Sequence, residues 1–545
     1  MSKPMIAALG SIRAVIAFCV FLTAASSAWS TPAPPSKSQE AGIAWIQASG
    51  DSEVDAAFAK AKAEKKPLFL YWGAKWCPPC NQVKATLFNR QEFIERSRAF
   101  VPVYIDGDQA GAQKLGTRFN VRGYPTMVLF NADGSELTRL PGEVGALQYT
   151  EVLGLGMAAR RPIKAVLADA RDKDRSQSLD ANEWRMLAFY SWATDERQLV
   201  SQADTPALLK QLAANCPANQ RETADRLLLQ ALAAAGDGKP SRPAEPAVRE
   251  RIVQLLADPR RSRAQMDLLG NQAAELAKAI SPQGNSSGAR QRERFMSHFD
   301  AALARLAADG SLSRAARLTA QVARIDLARL DLAKNAQPVI AQKTLQSIRQ
   351  QVERDDREIT DGYERQAVIT TGAHLLAQAG MMAESDQLLQ SNLAKSHSPY
   401  YLMSALASNA RKRGDNAEAL RWYAQAHARA DGTATRLQWG ASHLAALVDL
   451  SPQDAAGIEK VAFQIFDEAA TQSDAFYERS GRSLQRVSGK LLTWAETAAD
   501  EKQAEAVIKR LQKQVDGICA RMPSTDTSRA ACQGLLKPGR NGKAA

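Results

Sequence analysis

Cys77 and Cys80 are the two side chains of this 545-residue chain best spaced to do chemistry on each other. Cysteines three positions apart meet when the residues between them make the first turn of a helix. The outer one gains thiolate character from the positive end of the helix dipole, and the inner one lies a turn further in. Thiol–disulfide exchange requires that arrangement. Pro78 and Pro79, between the cysteines, suit a first helical turn, where a missing N–H costs little. They also stiffen the loop and remove two donors that would hold a Cys77 thiolate, and no histidine stands between the cysteines to add charge. A less stabilised thiolate means a more stable disulfide, which favours reduction or isomerisation over strong oxidation. A structural bridge and half a zinc site are the rival readings. Zinc needs four ligands, and the chain offers no second Cys-x-x-Cys or nearby Cys/His pair.

The flanking sequence must supply a strand before the pair and a helix after it. Pro67 to Trp72 is an unbroken run of apolar strand formers, apolar on both faces as a central strand should be. Val83, Leu87 and Phe88 then fall at helical spacing, and that helix ends near Arg96. Upstream, Gly42 to Ile46 reads as a short first strand, and Ser52-Glu53-Val54-Asp55 as a capping box opening a helix. Downstream come a strand over Phe100 to Ile105, a turn at Asp106-Gly107-Asp108 and a helix from Ala112 to Phe119. Arg122-Gly123-Tyr124-Pro125-Thr126 leads into a strand over Met127 to Phe130. Asn131 to Gly134 is a hairpin turn, Glu136 to Leu140 an edge strand, and Ala146 to Gly156 a last helix. The order β-α-β-α-β-α-β-β-α gives a mixed sheet with helices on both faces.

With these elements placed, residues about 41–158 resemble an α/β thioredoxin-fold domain. They are most similar to the thioredoxin-like modules of secreted bacterial thiol:disulfide interchange proteins. Two signatures about 45 residues apart carry the resemblance, Trp76-Cys77-Pro78-Pro79-Cys80 and Arg122-Gly123-Tyr124-Pro125-Thr126. The resemblance implies that Cys77 is the exposed nucleophile and Cys80 the resolving thiol of a redox-active disulfide. It implies a cis Pro125 facing the pair, with the Tyr124 backbone free to bind substrate and Trp76 shielding the cysteines as an apolar docking edge. No cofactor is expected. One departure stands out: the family's buried Asp, six residues before the first cysteine, and its Lys partner on the next strand are replaced by Tyr71 and Pro102. The usual proton acceptor for Cys80 is then absent, and Lys75, water or the substrate must stand in.

Residues 160–533 read as an all-α helical-repeat region. Gly380 and Gly414, 34 residues apart, each end a helix and precede another, and 34 is the tetratricopeptide period. Residues 403–430 resemble that repeat, and residues 369–396 do so less closely. Residues 1–30 read as a secretory signal, with Lys3 and Arg13 before the apolar Ala14 to Ala25 and small residues after it. An uncleaved N-terminal anchor is the alternative. The three-part signal is of a bacterial kind, which points to the periplasm, an oxidising space where disulfides persist. A disordered leader over 31–40 and a disordered tail over 534–545 complete the division.

The net charge of +12 is interleaved along helices, as in Val352-Glu353-Arg354-Asp355-Asp356-Arg357, which marks a solvated face rather than a nucleic-acid groove. Weak attraction to anionic membrane surfaces is compatible with it. Cys519 and Cys532 are expected to pair and staple the last helix to the tail, leaving Cys216 either as a buried thiol or for regulatory pairing. His298, His374, His397, His427 and His443 are scattered and read as surface or packing residues, so no metal is expected. Two functions remain open. One is a protein-disulfide reductase or isomerase whose helical region recruits protein substrates or a redox partner. The other is a helical binding scaffold whose redox module is a sensor or covalent tether.

Overall fold

In the redox module the chain alternates β1 (Ile46–Gln47), α1 (Asp51–Glu64), β2 (Leu68–Gly73), α2 (Pro78–Val83) and α3 (Gln91–Arg96). It continues through β3 (Val101–Asp106), α4 (Ala112–Arg118), β4 (Thr126–Phe130), β5 (Glu136–Leu140) and α5 (Ala146–Ala158). This computed structural model describes residues 42–537, apart from 143, 193, 196–198, 237–243, 282–285 and 334–335. The expected signal over 1–30, the leader over 31–40 and the end of the tail lie outside the described residues.

The sheet order is β1-β3-β2-β4-β5; β1, β3 and β2 are parallel, β4 runs antiparallel to β2, and β5 runs antiparallel to β4. All six residues of β2 are buried, as an apolar central strand requires. Its period of two divides them between two cores. Leu68, Leu70 and Trp72 pack with α1 and α4, while Phe69 and Tyr71 face the cysteines. Pro102, opposite Phe69, is tolerated because β1 covers β3 only from Val103 onward, leaving the strand one neighbour there. At the hairpin Gly134 takes φ 89°, the left-handed conformation an Asp-Gly turn needs.

Three boundaries differ from expectation, the first being the opening strand, which covers Ile46–Gln47 rather than Gly42 to Ile46. The first helix starts at Asp51 rather than after Ser52, because the Glu53 carboxylate reaches back to accept from Gly50 N at 3.0 Å. The helix expected through Arg96 is divided: α2 passes into a π-helical turn, Lys84–Phe88, before α3 restarts at Gln91.

From Ile163 to Gln533 the described residues hold twenty α-helices and no strand. Gly380 (φ 85°) and Gly414 (φ 81°) stand at the turns joining Gly362–Gln378 to Met382–Asn392 and Pro399–Arg413 to Asn416–Arg429. The tail expected from 534 is docked as far as Leu536, which is buried with Leu535 and donates its N–H to Ser488 Oγ at 2.6 Å. No helix among the described residues is long and apolar enough to cross a membrane.

The cysteine face of the sheet is not a separate core. Phe69, Tyr71, Trp76, Cys77 and Cys80 belong to one continuous apolar cluster with Trp184, Leu376, Tyr400, Leu406 and Trp439 of the helical region. Residues from Gly42 onward accordingly form one compact unit.

Candidate active site

The end of β2 delivers Cys77 to the N-cap of α2, with Pro78 and Pro79 in the first turn. Cys77 and Cys80 are disulfide-bonded, their Cα atoms 5.2 Å apart, and Cys77 Sγ accepts from Cys80 N at 3.2 Å. That contact caps the helix and aims its positive end at the outer sulfur. Asn81 holds the loop from inside, Nδ2 donating to Lys75 O at 2.9 Å and Cys77 O at 2.8 Å. Tyr124–Pro125 is a cis peptide. Trp76 stands edge-on to Tyr124 with ring centroids 5.9 Å apart, so the two sequence signatures meet.

The expectation of an exposed Cys77 is corrected: it is 2% exposed, and Trp76 is 7% exposed. Cys77 lies in the apolar cluster it shares with the helical region, whose Tyr401 stacks on Trp76 at 5.8 Å and whose Trp439 meets Trp76 edge-on at 5.0 Å. The Arg479 guanidinium lies 5.1 Å from the Trp76 ring and 5.0 Å from the Tyr124 ring. The docking edge expected at Trp76 is therefore occupied from within the chain.

Polar contacts pin the same seam. Lys75 Nζ pairs with Asp431 Oδ2 at 3.1 Å, and His397 Nε2 lies 3.0 Å from Lys75 O. Gln82 Nε2 donates to Ser313 Oγ at 2.9 Å, and Arg479 N to Gln113 Oε1 at 2.9 Å. Asp108 O accepts from both the N–H and the hydroxyl of Thr433, each at 3.1 Å. Gly432 (φ 94°) makes this approach possible, since a Cβ there would stand 2.9 Å from Asp108 Cβ.

Asp108, on the same seam, carries a buried carboxyl. It is 3% exposed and neither oxygen completes a hydrogen bond, although Thr435, Arg479 and the Trp76 indole all act on it favourably. Burial first, then the charge of Asp106, pushes it up to about 7. At Tyr71, where the family carries its Asp, the hydroxyl is buried without a partner. The ring stacks on Tyr104 at 5.2 Å and meets Phe88 at 4.9 Å, so the position serves packing. Lys84, its ammonium lowered by burial, lies over Tyr104 and over Tyr363 of the helical region. Sequence reasoning missed Asn81, Asp108, Tyr401, Trp439 and Arg479. A turn aspartate and scattered helical aromatics carry no local signal of the partner they will meet.

The remaining residues lie apart. Cys519 and Cys532 are bonded, with Cα atoms 5.8 Å apart, in the C-terminal apolar cluster. Cys216 is a buried free thiol pushed up to about 12 by burial. His427 is 3% exposed, and burial followed by the charge of His427 lowers His443 to about 4.

Comparison with known proteins agrees with this geometry. The thioredoxin-like domain family matches residues 54–156. Thiol:disulfide interchange protein DsbD of Klebsiella pneumoniae is 28% identical over 120 residues, 21% of this chain and 20% of its own length. The protein of that name from Pseudomonas fluorescens is 29% identical over 122 residues, 22% and 21% of the two chains. The oxidised crystal structure of thioredoxin O1 from Arabidopsis thaliana is 20% identical, with a TM-score of 0.17, over 21% of this chain and 96% of that one. The chain spans about a fifth of the length of the curated relatives it matches. Residues 54–156 are thus a thioredoxin-like domain, followed among the described residues by a region of helices without a strand.

Proposed function

We propose that this protein is a thiol:disulfide oxidoreductase acting on protein disulfides through Cys77 and Cys80, in the reducing or isomerising direction. The reading rests on one observation: the bonded pair at the mouth of α2, with Trp76 packed against the residue that precedes a cis proline. In the reduced protein the Cys77 thiolate attacks one sulfur of a substrate disulfide. The other substrate sulfur leaves as a thiolate and takes a proton from water. Cys80 then attacks Cys77 Sγ, restores the internal disulfide and releases the second substrate thiol. Two electrons pass to the substrate, and an external dithiol, here a redox partner protein, resets the pair. Lys75 is directed to Asp431, which leaves water or the substrate to take up the Cys80 proton. The apolar segment near the N-terminus and the redox chemistry together suit the bacterial periplasm.

The test is reduction of oxidised glutathione by the dithiothreitol-reduced protein. Wild type turns over, Cys77→Ser does not, and Cys80→Ser accumulates a mixed disulfide on Cys77. Indifference of the rate to Cys77→Ser would sink the reading. The proline pair leads to a potential more negative than about −200 mV, on the reducing side of the strong oxidants. A second reading is favoured by the burial of Cys77: a helical scaffold in which the disulfide senses redox state and governs the seam. It forecasts partner binding that follows the oxidation state, with no turnover.

A further inference from the structure

We propose that a cavity of about 440 Å³ in the helical region, bordered on one side by Pro78 and Pro79, binds a small organic anion. Its charged head lies at His374 and Lys412 and its apolar body against Leu389 and Tyr401. Cys77 and Cys80 do not line this cavity, so its occupant is a bound ligand and not a disulfide substrate. The inference therefore stands apart from the exchange reading above.

Two helices supply most of the wall. Thr370, His374 and Ala377 recur at helical spacing on Gly362–Gln378, so one face of that helix meets the space. Tyr401, Ala405, Ser408 and Lys412 do the same on Pro399–Arg413. Leu389 is fully buried, while His374 and Lys412 are exposed and mark the mouth. Spaces of about 300–1,000 Å³ with apolar walls and a few placed polar groups are the usual form of small-molecule sites.

The mouth carries positive charge that the protein leaves uncompensated. Among the described residues Lys412 makes no ion pair. Asp386 is held instead by Asn409 Nδ2 at 2.8 Å and by Arg413. Arg329 turns its guanidinium to two carboxamides, those of Gln378 and Gln337, and Asp326 on its own helix acts on it only through space. Gln378 Nε2 in turn lies 3.4 Å from His374 Nε2. The cations act on one another: burial first, then Lys412 and Arg329, lower His374, and burial first, then Arg329, lowers Lys412.

The helix ends do not absorb this charge. Carbonyls at the ends of both wall helices are already met by backbone donors, Met381 N to Leu376 O at 2.9 Å and Asp415 N to Ala410 O at 3.0 Å. Cations gathered in a partly desolvated place cost free energy, and an oxyanion offsets that cost through charge-assisted hydrogen bonds. A phosphate and a carboxylate share this chemistry.

The experiment is isothermal titration calorimetry of the full chain in a phosphate-free buffer near neutral pH. Its probes are phenyl phosphate, phenylacetate, benzyl alcohol and inorganic phosphate. One of the two aromatic anions is expected to bind at least about ten-fold more tightly than benzyl alcohol and than inorganic phosphate, and the tighter of the two identifies the head group. Lys412→Ala is expected to weaken that anion about ten-fold. Lys513→Ala, which removes an exposed charge from the Glu501–Arg521 helix, should leave it within about two-fold. The inference is overturned if neither aromatic anion binds, or if benzyl alcohol or inorganic phosphate binds as tightly. It is equally overturned if Lys412→Ala changes nothing or if Lys513→Ala costs as much.

Discussion

Cys77–Cys80 and Cys519–Cys532 have nearly the same burial and similar Cα separations, 5.2 and 5.8 Å. Their helices differ. Cys77 caps the N-terminus of α2, while Cys519 lies in the last turn of the Glu501–Arg521 helix. The first position stabilises a thiolate and the second disfavours one. Their loops differ too, since the first pair closes three residues and the second thirteen. A longer loop removes more freedom from the unfolded chain, so the second bond is the better staple and the first the better reagent. Burial says nothing about which is which; the end of the helix and the surroundings do.

The sharpest break of that contrast is substitution of one sulfur in each pair. Cys77→Ser should lower disulfide exchange at least about 1,000-fold, since it removes the attacking atom. Cys519→Ser should leave exchange within about two-fold of wild type. A large loss of exchange in the second variant, at equal folded fraction, would erase the distinction.

The next effect concerns the surroundings of the first pair. The Asp108 carboxyl, ordinarily 3.8 and raised to about 7 by burial and then by Asp106, is neutral in both folded and unfolded chains below about pH 4. Between about pH 4 and 7 the unfolded chain ionises while the folded one resists, so stability falls as pH rises. The loss reaches at most about 4 kcal/mol above pH 7. Asp108→Asn should remove that slope, and urea midpoints from pH 4 to 8 measure it. An identical slope in both proteins would assign the pH dependence elsewhere.

The smaller effects fall on the staple and on the unbonded thiol. Serine at Cys519 should cost about 3 kcal/mol of stability, read from urea unfolding in non-reducing buffer. Cys216→Ser should change exchange by less than about two-fold and stability by about 1 kcal/mol, the cost of a hydroxyl in an apolar site. A redox-dependent phenotype for Cys216→Ser would place a third sulfur in the chemistry.

Legibility followed the range of the interaction. Phe69 and Tyr71 alternate with Leu70 and Trp72, so the central strand and its two faces could be read locally. The Asp133-Gly134 turn and the helix break at Gly414 were equally plain, because one residue's backbone freedom decides each. Gly50 as the first cap was hidden, since it depends on Glu53 reaching back rather than on a capping side chain. Tyr71 was visible as a departure, but its packing against Tyr104 and Phe88 was not.

By itself the sequence determined the chemistry: two sulfurs at helical spacing, prolines that deny a thiolate two donors, and a Tyr-Pro signature just before the strand that pairs with β2. These rest on contacts within a few residues or on strand periodicity. Access to the sulfurs was decided only in the tertiary structure. Tyr401, Trp439 and Arg479 stand more than 300 positions from Cys77 in the chain, and nothing local in their sequence names Trp76 as their partner. Bringing them there is the work of the packed helical region, whose summed geometry no short stretch of sequence encodes.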